Sequence, residues 1–171
     1  MATRIYNVSN QAGIHQSFED FEEAIKPWLE WKMQKGFYID VEYVDSTTPS
    51  TEIISYVKQE YGEVKPSFLV IFGDSDKVAP SLDKGQKSAC VTDLDYGSVD
   101  GDYFPDMYYS RMSCSTVSEM EALVNKTLQY EQYAMPDPSY LDNVLMIAGV
   151  DAWYTSEVGV PAINYATNFF F

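Results

Sequence analysis

The sequence predicts an α/β fold in which a mostly parallel sheet is flanked by helices. Three observations carry this reading. Apolar periodicity switches repeatedly between strand spacing and helix spacing along the chain. Two runs, Ser67–Phe72 and Asn143–Gly149, are continuously apolar, as strands covered on both faces are. Both end in Gly-Asp or Gly-x-Asp, at Asp74 and Asp151, and open α/β sheets gather their ligand and catalytic groups at the carboxyl ends of strands. Alternating strands and helices imply parallel neighbours joined by right-handed crossovers.

Residues 1–17 carry no usable period. A helix reads from Ser17 to Lys35: Ser17 with Asp20 resembles a capping box, Gly36 holds the stop position, and Phe21, Ile25, Trp28, Leu29 and Lys32 recur at helical spacing. Pro27 lacks a backbone donor and predicts a kink or break. Phe37, Ile39, Val41 and Tyr43 alternate as in a strand. Thr47–Ser50 is a turn that starts a helix with Ile53, Ile54, Val57 and Tyr61 on one face, ended by Gly62. The strand Ser67–Phe72 follows, and then an acidic stretch without clear helix. Met107–Arg111 reads as a short strand. Thr116 with Glu119 is a capping box that opens a helix bearing Val117, Met120, Leu123, Val124 and Leu128, closed by Met135–Pro138. Asn143–Gly149 is expected to be a further buried strand. No repeat or internal boundary interrupts 18–171, which reads as one unit, and the closing Phe169–Phe171 leads us to expect truncation at that end.

The chain's 171 residues suffice for one domain with a sizeable core, and 46% apolar with 15% aromatic content excludes disorder. Lys and Arg number 11 against 26 Asp and Glu, a formal net charge of -15. That balance argues against nucleic acid and anionic membranes and favours cations or basic partners. No apolar run approaches the roughly 20 residues of a membrane helix, and the opening residues lack a signal-peptide core. Cys90 and Cys114 are too few for a disulfide framework, and neither has basic neighbours in sequence to activate a thiolate. They read as structural, whether free or bridged.

Asp93, Asp95, Asp100, Asp102 and Asp106 crowd one short stretch. Alternate carboxylates repel unless neutralised, and a hard cation that prefers oxygen would do so. Asp100, Asp102 and Asp106 with the Phe104 carbonyl could wrap calcium, with Gly101 helping the turn; a solvated turn with Asp side chains on backbone N–H groups fits the spacing equally. Asp151 could orient a catalytic His or cap a turn. His15, the one histidine, reads as a surface residue, and Trp153 and Tyr154 could line a cleft.

Longer segments resemble a known family. Phe21–Val41, Leu69–Asp76, Val91–Tyr108, Met135–Leu141, Val144–Asp151 and Gly159–Tyr165 are similar, in order, to the gingipain catalytic domain, with the lysine-specific branch closer. The resemblance covers about residues 18–171 and implies a secreted or cell-surface bacterial cysteine endopeptidase with a caspase-like, three-layer α/β subdomain. It implies that this chain is the first of two catalytic subdomains, with the catalytic Cys and His in the second. The chain alone is then expected to be inactive, and its partners are that second subdomain and protein or peptide substrates cleaved after basic residues. By the same resemblance Asp151 supports the catalytic His. Calcium is held by Asp100, Asp102, the Phe104 carbonyl and Asp106, and Asp74 is a further cation candidate. The alternative is a non-catalytic calcium-binding or partner-binding module of the same fold. Two departures stand out. Asp106 replaces a family Glu, and Gln11–Ser17 is not strand-like where the family has its opening strand. Ile5–Val8 is the substitute the sequence offers; without it the sheet is left with an exposed edge.

Overall fold

The computed structural model describes residues 2–8, 15–83, 90–149 and 152–170. The first of two compact units, Met1–Ala134, contains β1 (Ala2–Val8), α1 (His15–Gln34), β2 (Tyr38–Val44), α2 (Ser50–Val64) and β3 (Phe68–Phe72). It continues through β4 (Ser81–Asp83), β5 (Cys90–Thr92), α3 (Leu94–Gly97), β6 (Tyr108–Met112) and α4 (Val117–Glu131).

Four strands lie side by side in the order β2-β1-β3-β6, and every pair is parallel. The apolar run of β3 is covered on both faces, as its composition requires. Val70 and Phe72 pack with Phe21, Ala24, Ile25 and Trp28 of α1 and Met120 and Val124 of α4. Leu69 and Ile71 pack on the other face with Ile53 and Val57 of α2, and with Val78, Tyr96 and Met107. The result is helix, sheet, helix. Each fully buried aliphatic or Phe side chain contributes about 1.5–3 kcal/mol. Trp28 meets Phe72 edge-on at 5.4 Å, which fixes the angle of α1 against the sheet.

Several local expectations need correction. The N-terminal segment does contain an element: Ala2–Val8 is a strand between β2 and β3, with Ile5 opposite Val41 on one side and Val70 on the other. Thr, Ile, Tyr and Val suit a strand even where no alternation is visible. Helix α1 begins at His15, ahead of Ser17, and runs through Pro27 without a break. The buried stripe of Phe21, Ala24, Ile25 and Trp28 holds it on the core across the missing hydrogen bond. Gly36 does sit at the stop, with φ +86°, and Phe37 N donates back to the Lys32 carbonyl. Gly62, by contrast, lies inside α2. The left-handed cap there is Lys65 (φ 46°), and Pro66 prevents the helix from continuing. The capping box of α4 is present as expected: Glu119 N donates to Thr116 Oγ1, and Ser115 N and Thr116 N donate to Glu119 Oε2. The antiparallel β4–β5 ribbon and α3 had no periodic signal.

The second unit, Met135–Phe171, has a 3₁₀ turn (Pro138–Asp142), α5 (Ala152–Tyr154), a π turn (Thr155–Gly159) and α6 (Val160–Phe170). Residues 143–149 form no strand, and Leu145 and Ile147 are exposed. A strand exists only through a partner's backbone, and these residues have no ladder among the described residues. Ala148 instead lies against Gly159, whose added Cβ would meet the Ala148 Cβ at 3.1 Å.

Candidate functional site

The carboxyl ends of β3 and β6 continue to pair beyond the strands. Gly73 N donates to the Met112 carbonyl at 3.0 Å, and Asp74 N to the Cys114 carbonyl at 2.9 Å. Asp74 is thereby placed at the strand end that its sequence context predicts. Its side chain is exposed, and its Oδ1 accepts from Ser75 N at 2.8 Å, closing a local turn. Asp76 Oδ1 accepts from Ser115 Oγ at 3.0 Å, and Asp76 Oδ2 lies 3.2 Å from Lys77 Nζ. Burial pushes the Asp76 carboxyl up, but Lys77 and Ser115 outweigh it and hold the group below the usual range.

Arg111 organises this edge. Its Nε and Nη2 grip both oxygens of Asp93 at 2.8 and 2.7 Å. Its Nη1 donates to the Gly73 carbonyl at 2.9 Å and the Val78 carbonyl at 3.0 Å. The planar guanidinium fits a carboxylate two-pronged, and the pair is only 11% and 20% exposed. Arg111 therefore ties β6 to the loop after β3 and to the start of α3. In the sequence Arg111 shows only as a strand residue. The available signal was an arginine closing an otherwise acidic stretch.

Just beyond, Tyr96 is buried and its hydroxyl donates to the Ala79 carbonyl. Burial pushes its phenol up to about 12; Arg111 opposes the shift, and Asp93 and Asp95 add to it. Ser81, also buried, donates to Asp95 Oδ2. Gly97 is needed for fit, since an added Cβ would lie 2.5 Å from the Tyr109 ring.

From α3 hangs the acidic loop. Asp102 N donates to Asp100 Oδ1 at 3.0 Å, and Phe104 N to Asp102 Oδ1 at 2.6 Å. Val99 N donates to Asp106 Oδ2 at 2.7 Å, while Asp106 N donates to the Gly97 carbonyl at 2.8 Å. Gly101 takes φ +83°, which a side chain would resist. The carboxylates of Asp100, Asp102 and Asp106 thus hold their own loop's N–H groups. Among the described residues no three Asp, Glu, His or Cys side chains converge as metal ligands.

Asp151 lies outside the described residues, as does the side chain of His15. Trp153 and Tyr154 are exposed and meet each other edge-on at 5.0 Å. Cys90 and Cys114 are not bridged to each other; Cys90 is exposed and Cys114 is buried. Burial, with Glu119, Asp74 and Asp76 adding to it, pushes the Cys114 thiol up to about 11, the reverse of what a nucleophile needs.

A profile described as peptidase family C25 matches residues 14–169. Lys-gingipain W83 of Porphyromonas gingivalis is 45% identical over 159 residues, covering 88% of this chain and 9% of that protein. Gingipain R2 of Porphyromonas gingivalis (strain ATCC BAA-308 / W83) is 25% identical over 151 residues, covering 85% of this chain and 20% of that protein. A solved structure described as "Structure of Protease" superposes with a TM-score of 0.78 at 41% identity, covering 98% of this chain and 36% of the other. The chain therefore spans a minor part of the relatives it matches.

Proposed function

This chain belongs to peptidase family C25, and from that premise we propose that it is the first catalytic subdomain, caspase-like in fold, of a gingipain-type cysteine endopeptidase. The observation that supports this best is 45% identity to a Lys-gingipain across 88% of the chain. The lower identity to Gingipain R2, 25%, favours cleavage after lysine. In the complete enzyme a Cys thiolate would attack the scissile carbonyl, and a His would carry the proton to the leaving amine. Asp151 would hold that His in its productive tautomer. In this reading the nucleophile lies outside this chain, and the buried Cys114, with its raised pKa, is unsuited to that role. The role of this chain's Arg111–Asp93 pair is to fix the strand ends against which the second subdomain would complete the site. Secretion or surface display follows from the same reading.

Calcium at Asp100, Asp102, Asp106 and the Phe104 carbonyl is proposed from the acidic spacing and the family likeness alone, with Asp74 as a further candidate. Calcium titration by calorimetry should give heat with the native chain and none with an Asp100→Ala/Asp102→Ala variant. Absence of heat in both sinks the calcium reading.

For the peptidase, the 171-residue chain should leave a lysyl peptide substrate intact, while the longer gene product cleaves it in a thiol-inhibitor-sensitive way. Asp151→Ala in that product should lower kcat on the order of 100-fold or more. A longer product with no such cleavage would instead favour the non-catalytic binding module.

A further inference from the structure

We propose that the cleft at the amino ends of β3 and β6 binds the free carboxyl end of a peptide whose last side chain is basic. It runs between the last turn of α2, the link into β3 and the segment that enters β6. Its volume of about 740 Å³ suits a drug-sized ligand. It lies at the opposite end of these five-residue strands from Asp74 and Arg111, about 15 Å away at about 3.3 Å per residue.

The cleft offers one cation, one anion and aromatic walls. Lys65 supplies the cation. Its backbone is left-handed, φ 46°, where a glycine would sit freely and a lysine stores strain. Among the described residues no carboxylate pairs with its ammonium, whereas Lys26, Lys32 and Lys77 each have one. A strained, unpaired lysine lining a cleft in a chain of net charge -15 points to an anion brought from outside. Asp106 supplies the negative group. Its N–H donates to the Gly97 carbonyl at 2.8 Å and its Oδ2 accepts from Val99 N at 2.7 Å, which fixes the carboxylate in the wall. Tyr61 and Tyr109 also line the cleft and pack on the buried cluster of Val57, Leu69 and Met107, so their rings are held in place. Tyr109 occupies the space that Gly97 leaves by having no Cβ.

This lining selects the ligand by what it presents. A simple anion would satisfy Lys65 but meet Asp106, and a simple cation the reverse. A carboxyl-terminal lysine carries both charges, joined by an apolar stem that rests on tyrosine faces while its ammonium reaches a carboxylate. Cleavage after lysine leaves such ends, so on the peptidase reading the cleft holds the enzyme's own products. The binding claim stands on the cleft alone; only that source rests on the peptidase reading.

The test is a 15N NMR titration of the 171-residue chain, in EDTA so that no divalent ion competes for Asp106. The probes are acetyl-Ala-Phe-Lys as the free acid, the same peptide as its carboxyl-terminal amide, and acetyl-Ala-Phe-norleucine as the free acid. The expected result is saturable shifts with the lysyl acid, clustered at Lys65, Ser67, Asp106 and Tyr109, and binding about fivefold weaker for each of the other two. Lys65→Gly should erase the preference for acid over amide while raising the melting temperature, because glycine takes this backbone without strain. Asp106→Asn, whose side-chain oxygen still accepts from Val99 N, should erase the preference for lysine over norleucine. The proposal is overturned by no saturable shift up to about 50 mM, by shifts clustered elsewhere, by equal affinity for the three peptides, or by a Lys65→Gly chain that keeps the acid preference. Binding here with no lysyl cleavage by the longer gene product would sustain the cleft and sink the peptidase reading alone.

Discussion

At the scale of single residues, Arg111 carries more than its position suggests. It is the shared partner of Asp93, Gly73 and Val78, and the ion pair is mostly sheltered from water. Removing one member of such a pair leaves the other charge buried and alone. Arg111→Met should cost about 3 kcal/mol of unfolding free energy, read from the urea midpoint, whereas Arg111→Lys should cost about half as much, because an ammonium cannot grip both oxygens. Equal midpoints for the native and Met chains would show that the clamp is idle. Tyr96 and Cys114 predict the alkaline limit. Both are held neutral by burial, at about 12 against an ordinary 10.0 and about 11 against an ordinary 9.0. In the unfolded chain each loses its proton at the lower value. Their contribution is therefore complete below pH 9 and is lost as pH rises through 9 to 11 for Cys114 and 10 to 12 for Tyr96. Stability measured by urea should fall steeply over that window, and Tyr96→Phe should fall less steeply above pH 10. A flat profile in the native chain would contradict this account.

At the scale of elements, local chemistry decides what a sequence reveals. The α4 cap was legible because both halves of its box, Thr116 and Glu119, stand at fixed spacing ahead of an apolar stripe. Thr116→Ala should cost about 1 kcal/mol in chemical denaturation, while Thr116→Ser should be nearly neutral. Loss in both variants alike would point to the methyl group rather than the hydroxyl. At the end of α2 two signals compete in the sequence. Gly62 is the better left-handed residue, but nothing crowds it within the helix, and the chain stops where Pro66 forbids another turn. The β4–β5 ribbon has three residues a side and α3 has four, too short for any period to show. For the acidic loop, spacing left turn and ion balanced. The structure shows each of these carboxylates accepting from a named N–H of its own loop.

At the scale of the molecule, the parallel sheet with helices on both faces was readable from the two-sided burial written into Leu69–Phe72. The strand order was not, because β1 lies between β2 and β3, and order depends on contacts far apart in sequence. Nor was Arg111's role, since its partners lie 18 to 38 residues away. The net charge of -15 gives a global prediction. Raising NaCl from about 0.01 to 0.5 M should screen self-repulsion and lift the melting temperature by about 2–5 °C, seen by circular dichroism. No change, or a fall, would mean that local pairs outweigh the global field. The Arg111 clamp also has a consequence in time. Its two partner segments, the loop after β3 and the start of α3, can meet it only after β3 and β6 have paired, so the clamp belongs late in folding. Breaking it should leave the refolding rate almost untouched and speed unfolding instead, making this arginine a latch on the native state's lifetime.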